Sequence, residues 1–407
     1  MFTQICYIII GMNIYFDNAA STKVRDEAVD AMVSVMTENF GNPSSIHACG
    51  RLARDELNTA RESLATALGA KANNVYFTSG GTEANNWAIF SSTDAFIRRS
   101  KGSLSANDSS PDKGSLTGKH IITSAIEHSA VMDPIKKLES KGFEVTYLMP
   151  DTAGRIPARD FAAALRDDTV FASIMLVNNE MGSVNPVGEY SSEIKKRGLD
   201  TVLHTDAIQG LCKIPFTVRS LGADLVTVSS HKLHGPKGVG ALYVKDGIKL
   251  TPLILGGNHE NEKRGGTEAL PAAVGFGVAA RLGISELEDT SSTVRRLREY
   301  ISERLKTEIP EVVFIGEGDS PFILCISLPG HKSTGLMTAL DEKGICVSRS
   351  AACKKGARSR TLEAMKLKND VIDGSLRVSF SRYSTKDEAD HFVTALKEVS
   401  KTMLKSL

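Results

Sequence analysis

The 407-residue chain has no apolar run that approaches the roughly 18 residues needed to span a membrane as a helix. It has almost no net charge either. Lys and Arg number 49 against 48 Asp and Glu, a formal balance of +1, so no field draws nucleic acid or an anionic membrane to it. Cysteine is scarce and scattered. Cys6, Cys49, Cys212, Cys325, Cys346 and Cys353 include no Cys-x-x-Cys and no Cys/His zinc spacing, which argues against a disulfide framework and a zinc site. Residues 1–10 are apolar but lack a basic stretch and an Ala-x-Ala-like cleavage site. They do not read as an export signal, so the cytoplasm is the expected location. Met12 directly precedes the first predicted strand, and residues 1–11 are expected to lie upstream of the native start.

What the chain does contain is alternation. From residue 119, short β-type runs at 120–123, 144–148, 170–177, 201–205 and 225–228 alternate with helical patterns. This predicts an α/β architecture with a mainly parallel sheet covered on both faces. Beyond Gly256-Gly257 the texture shifts to long helices at 270–287 and 294–306, then strands at 312–315, 323–328, 345–348 and 375–379. The chain is therefore divided into a large domain, 14–270, and a smaller α+β domain, 271–407, with the segment up to about residue 27 expected against the smaller one. Residues 91–118, rich in Ser, Asp, Lys and Gly, are expected to form a surface insertion remote from any site.

In a parallel sheet the ligand sits beyond the carboxyl ends of the strands, and polar residues gather at those ends. Ser79-Gly-Gly-Thr-Glu-Ala-Asn85 turns a strand into a helix and offers Gly81 and Thr82 as a phosphate cradle. Asp206 ends one strand and Gln209 follows it. Ser229, His231 and Lys232 lie in the turn after 225–228. A lysine amine at such a place can form an imine with an aldehyde cofactor. Asp206 suits a protonated pyridine nitrogen, His128 suits ring stacking and proton transfer, and Gln209 and Asn179 can hydrogen-bond a phenolic oxygen. Together these are the requirements of pyridoxal 5'-phosphate. Each residue has a plainer alternative: Asp206 as a helix cap, His128 as a hydrogen-bonded core histidine, Lys232 as a solvated turn lysine. Their convergence at strand ends of one sheet favours the cofactor.

The segments Phe40-Gly-Asn-Pro-Ser44, Thr78-Ser-Gly-Gly-Thr-Glu83, Ile126-Glu-His128, Val177-Asn-Asn-Glu180, Thr205-Asp-Ala-Ile-Gln209 and Ser230-His-Lys-Leu-His-Gly-Pro-Lys-Gly238 resemble the NifS/IscS-type cysteine desulfurases. These are class V members of the fold-type-I pyridoxal-phosphate enzymes, and the resemblance covers residues 14–397. It implies the cofactor on Lys232, Asp206 at its ring nitrogen, His128 over the ring, and Arg377 with Asn179 on the substrate carboxylate. It further implies a homodimer in which Thr267, of Arg264-Gly-Gly-Thr267, reaches the partner's cofactor phosphate.

The same resemblance places the sulfur-accepting thiol at Cys353, in Ser348-Arg-Ser-Ala-Ala-Cys-Lys-Lys-Gly356. Arg349, Lys354, Lys355 and Arg358 surround it with positive charge that favours the thiolate. L-Cysteine would then yield L-alanine and a persulfide on Cys353, destined for an acceptor protein of iron–sulfur cluster assembly or tRNA thiolation. A selenocysteine lyase or another class V enzyme is the alternative. The family often has Ser-Gly-Ser-Ala-Cys here, and the stretch from Cys353 to Arg377 is shorter than usual, which bears on loop reach and acceptor choice.

Overall fold

A computed structural model describes residues 14–102, 119–350 and 358–403. Its strands are β1 (Ile14–Tyr15), β2 (Val75–Thr78), β3 (His120–Ser124), β4 (Glu144–Leu148), β5 (Thr169–Ser173), β6 (Val202–Asp206), β7 (Leu225–Ser229), β8 (Gly240–Val244), β9 (Val313–Ile315), β10 (Ile323–Ser327), β11 (Ile345–Cys346), β12 (Ser348–Arg349) and β13 (Ser375–Ser379).

Seven strands form the main sheet in the order β2-β8-β7-β6-β5-β3-β4. Only β8 runs against its neighbours, so the α/β, mainly parallel expectation holds. Every residue of β3, β5 and β7 is buried, because helices cover both faces of the sheet. Two histidines sit inside it between hydroxyls: His120 between Thr169 and Thr146, and His204 between Ser173 and Thr227. Burial pulls His204 down to about 3, so it is a neutral cross-strand link. Among the described residues, no single helix is long and apolar enough to cross a membrane.

The helix Leu270–Ser285 lies on Asp26–Thr37 and Ala48–Leu68 and shares the core of the main sheet through Leu270, Phe276 and Ala280. A second core begins at Val294. The change of core thus falls later than residue 270, where the sequence suggested a boundary. Small residues explain the difference: a Cβ on Gly277 would stand 2.6 Å from Ala60 Cα, so this helix nests against its neighbour as a core element.

The second core covers an antiparallel sheet, β12-β13-β10-β9, packed by the helices Leu287–Glu308, Ser333–Asp341 and Lys386–Thr402. The start of the described chain joins it. β1 pairs parallel with β11, Asp17 bridges to Ser379, and Phe16 meets the Phe380 and Phe392 rings edge-on at 5.2 and 5.8 Å. The stretch expected as an insertion begins as helix: Gly81–Gly102 is continuous, with Ser91, Ser92 and Thr93 buried and Ser91 Oγ donating to Thr251 O at 3.0 Å. Polar composition alone hid that burial. Residues 103–118 lie outside the described residues, as does Cys353.

Candidate active site

The cleft lies beyond the carboxyl ends of β5, β6 and β7. Lys232 is set there by a tight turn, Ser230–Lys232, in which the amides of Leu233 and Gly235 both return to Ser230 O, at 3.0 and 3.1 Å. A Cβ on Gly235 would stand 2.0 Å from Ser230 Oγ, so a side chain there would force that hydroxyl to turn away. From the other side, Thr22 clamps His231 O with its amide at 2.9 Å and its hydroxyl at 3.0 Å. The Lys232 amine donates to Ala19 O and Ala20 O, each at 2.6 Å. Burial, then the neighbouring Arg377 charge, pull Lys232 down to about 8, against the upward pull of Asp17 and Asp206. Burial, with Lys232 and Lys237 nearby, also holds His231 down to about 4.

Asp206, at the end of β6, is 4% exposed. Its carboxylate accepts from Ile208 N at 3.0 Å and Asn85 Nδ2 at 2.7 Å, and it makes no ion pair among the described residues. Burial raises it, while those two donors and the charges of His128 and Lys232 oppose the rise. A carboxylate so placed would be stabilised by a facing cation. Helix Gly81–Gly102 opens into the same cleft, where Gly81 and Thr82 present the unbonded amides of a first turn, the physical basis of an anion cradle. Arg377, mid-strand in β13 and 3% exposed, donates to Asn179 O at 3.0 Å and Asp17 Oδ1 at 2.9 Å. Its Nε has no partner among the described residues.

His128 is not the core histidine that one reading allowed. It is exposed and caps the helix Ser129–Glu139, Nδ1 accepting from Ala130 N at 3.1 Å. A backbone amide can only donate, so in the neutral ring the proton sits on Nε2. Gly81, Thr82, His128, Asn179, Asp206, Gln209, Ser229, His231, Lys232 and Arg377 all line one cleft of about 630 Å³. Thr267 does not line it and is exposed in its own chain.

The sequence placed Glu127 and Glu180 at strand ends, but assigned no role to them or to several other groups in or beneath the cleft. Asn85, one helical turn after Gly81, donates to Asp206, a residue that only the fold brings beside it. Glu127, beside His128, is fully buried; burial pushes it up to about 8, with Ser124 Oγ and Met175 N on its Oε1. Glu180 receives the hydroxyls of Ser359 and Thr361, and Arg360 donates to Glu127 O. Apart from Ser124–Glu127, these contacts join elements far apart in sequence, and no local pattern announces them. Outside the cleft, Glu83 accepts from Ser79 N at 2.8 Å and from Arg264 Nε at 2.9 Å, fixing the turn that precedes the helix.

A mainly parallel sheet with a half-buried lysine, a buried carboxylate and a helix amino end meeting in one cleft defines a class of enzyme, and the chain belongs to the class-V aminotransferase family: the profile described as Aminotransferase class-V matches residues 14–392. Within that family its relatives point one way. A protein named cysteine desulfurase IscS from Methanosarcina thermophila is 40% identical over 390 residues, 95% of this chain and 91% of the relative. Another of that name from Dictyoglomus turgidum is 39% identical, over 95% of this chain and 94% of its own. Among solved structures, a NifS-like protein superposes with a TM-score of 0.87 at 32% identity, covering 96% of this chain and 100% of its own. One described as SspA in complex with cysteine superposes with a TM-score of 0.75 at 32% identity, covering 91% and 100%.

Proposed function

We propose that this chain is a pyridoxal-phosphate-dependent cysteine desulfurase that converts L-cysteine to L-alanine and passes the sulfur, as a persulfide on Cys353, to an acceptor protein of iron–sulfur cluster assembly or tRNA thiolation. The observation that carries the proposal is the meeting in one cleft of the Lys232 amine, an Asp206 carboxylate with no ion pair among the described residues, and an Arg377 guanidinium whose Nε has no partner among them. These residues fit the cofactor: Lys232 for the aldehyde, Asp206 for the ring nitrogen, and Gly81, Thr82, Ser229 and His231 for the phosphate. When bound, pyridoxal phosphate supplies an imine-forming aldehyde and a ring that accepts the electron pair released at the substrate Cα.

The chain's residues do the rest. Arg377, steadied by Asp17 and Asn179 O, holds the substrate carboxylate with its planar fork. Lys232, neutral above about pH 8, takes the Cα proton. His128 offers Nε2–H for proton transfer. The Cys353 thiolate bonds to the substrate sulfur as the C–S bond breaks, the released carbon takes up a proton to become the methyl of alanine, Lys232 gives a proton back to Cα, and Cys353 keeps the sulfur. In a homodimer, Thr267 would serve the partner's cleft.

The test is an absorption spectrum of the purified protein, then addition of L-cysteine with assays for alanine and for persulfide on Cys353. A yellow protein giving alanine and bound sulfur in equal amounts, with Cys353→Ala losing the bound sulfur, is the expected result. A protein that pyridoxal phosphate cannot colour would overturn the reading.

The Glu83–Arg264 pair yields a separate expectation. Removing the guanidinium frees Glu83 from its role of holding Ser79 N, and the anion cradle loses its shape. Arg264→Ala should therefore weaken cofactor uptake by about tenfold, the equivalent of one charge-assisted contact. Fluorescence titration of the apoprotein with pyridoxal phosphate measures this, and unchanged affinity would refute it.

A further inference from the structure

We propose that Lys213 is a positioning residue, fixing from beneath the cleft which end of the Gln209 amide faces a bound cofactor. The inference rests on the cofactor reading above. After β6 the chain makes successive tight turns, with Gly210 N and Leu211 N bonded to Ala207 O and with Lys213 N and Ile214 N bonded to Gly210 O. That winding brings residues 209 and 213 to one side. Lys213 is 5% exposed, and its Nζ donates to Gln209 Oε1 at 2.9 Å. The Gln209 Nε2 donates to Ala19 O at 2.9 Å, the same carbonyl that receives the Lys232 amine at 2.6 Å.

The chemistry fixes the orientation of this amide. A carbonyl only accepts, so Ala19 must face Nε2, and the lysine N–H then meets Oε1. With one lone pair of Oε1 turned down to the lysine and one Nε2–H given to Ala19 O, the second Nε2–H is the donor Gln209 holds for the cleft it lines. A donor there suits an oxygen anion. Remove the Lys213 amine and a buried Oε1 loses its partner, so Ala19 O alone anchors the amide and its donor is held less firmly toward the cleft.

The charged groups around Lys213 are few. Lys232, Arg25, Glu286 and Arg382 line the same small cavity of about 30 Å³ with it, and Arg25 and Arg382 are both occupied by Glu286. Burial, then the Lys232 and Arg377 charges, pull Lys213 down to about 7. It faces the site's cations and pairs with no acid among the described residues, so an ion-pair role is not the reason for its burial.

The experiment follows the pH midpoint of the bound-cofactor absorption band in holoprotein, for wild type, Lys213→Met, Gln209→Leu and the double variant. A donor on the phenolic oxygen favours its anionic form and lowers the midpoint, so losing that donor should raise it. Lys213→Met is expected to raise it by roughly one pH unit, Lys213→Arg to restore it, and Lys213→Met to add nothing once Gln209 is Leu. Where Lys213→Met does not fold, Lys213→Gln, a neutral donor of shorter reach, takes its place in the same cycle. Shifts that add, or a midpoint indifferent to Lys213, would overturn the assignment while leaving the cofactor reading intact. A wild-type protein without the chromophore overturns both.

Discussion

Lys232→Ala is expected to lower the production of alanine from L-cysteine by at least roughly 10³-fold, the range of a positioned proton-transfer group. The expectation follows from how little else in the cleft could replace this amine. His128 lines the cleft, but its Nδ1 is held by Ala130 N. His231 is held down to about 4 and sits against Ser21 Oγ at 3.4 Å. The variant should keep part of its affinity for pyridoxal phosphate, because Asp206 and the helix amino end are untouched.

The lowered amine also sets a pH dependence. Only the neutral form attacks an aldehyde or takes a proton. With the amine down to about 8, recombination of apoprotein with cofactor should rise with pH through about 8 and level off above it. Stopped-flow absorbance across that range is the check. A Lys232→Ala protein with wild-type turnover would remove the central residue of the proposed function.

Glu260→Ala is expected to cost about 3–5 kcal/mol of stability, the usual loss when one member of a buried ion pair is removed. Glu260 is 5% exposed and grips Arg61 through both oxygens, at 2.6 and 2.7 Å. It also receives Phe77 N at 2.9 Å. One carboxylate therefore ties the helix Ala48–Leu68, the strand β2 and the strap that follows Gly257. That strap is strained, with Glu260, Asn261 and Glu262 at φ of 47, 54 and 63°, a left-handed run that disfavours side chains. Without the carboxylate, Arg61 is left half-buried beside Val75 O and the strained backbone loses its tether. Denaturant unfolding of Glu260→Ala against wild type measures the loss. The double variant Arg61→Met, Glu260→Leu should lose less than Glu260→Ala alone, because no uncompensated charge remains. Equal losses would show that the pair is not the source.

Much of this was legible from sequence, for identifiable reasons. The main sheet announced itself through short buried β-branched runs, and the strand-end rule then singled out Asp206, Gln209, Ser229 and Lys232 without any coordinates. What remained hidden depends on register and on long-range contact. Asn85 matters because Asp206 lies opposite it, across 121 residues. Arg377 is oriented by Asp17, 360 residues away. Lys213 carries no signal in the sequence, because nothing local reveals that its surroundings are closed. The extension of the helix Gly81–Gly102 was missed because Ser91 and Thr93 are polar residues that bury themselves by bonding backbone, a satisfaction that composition does not record.

The first described strand has a mechanical meaning. β1 belongs to β11, and Asp17 to Ser379 and Arg377, while two residues further on Ala19 O and Ala20 O hold the Lys232 amine. One short ribbon is thus fastened to the smaller sheet at one end and to the reactive amine at the other. Any rocking of that sheet would tug on the leash of the lysine, so that admitting a substrate to Arg377 and loosening Lys232 for its work become a single displacement.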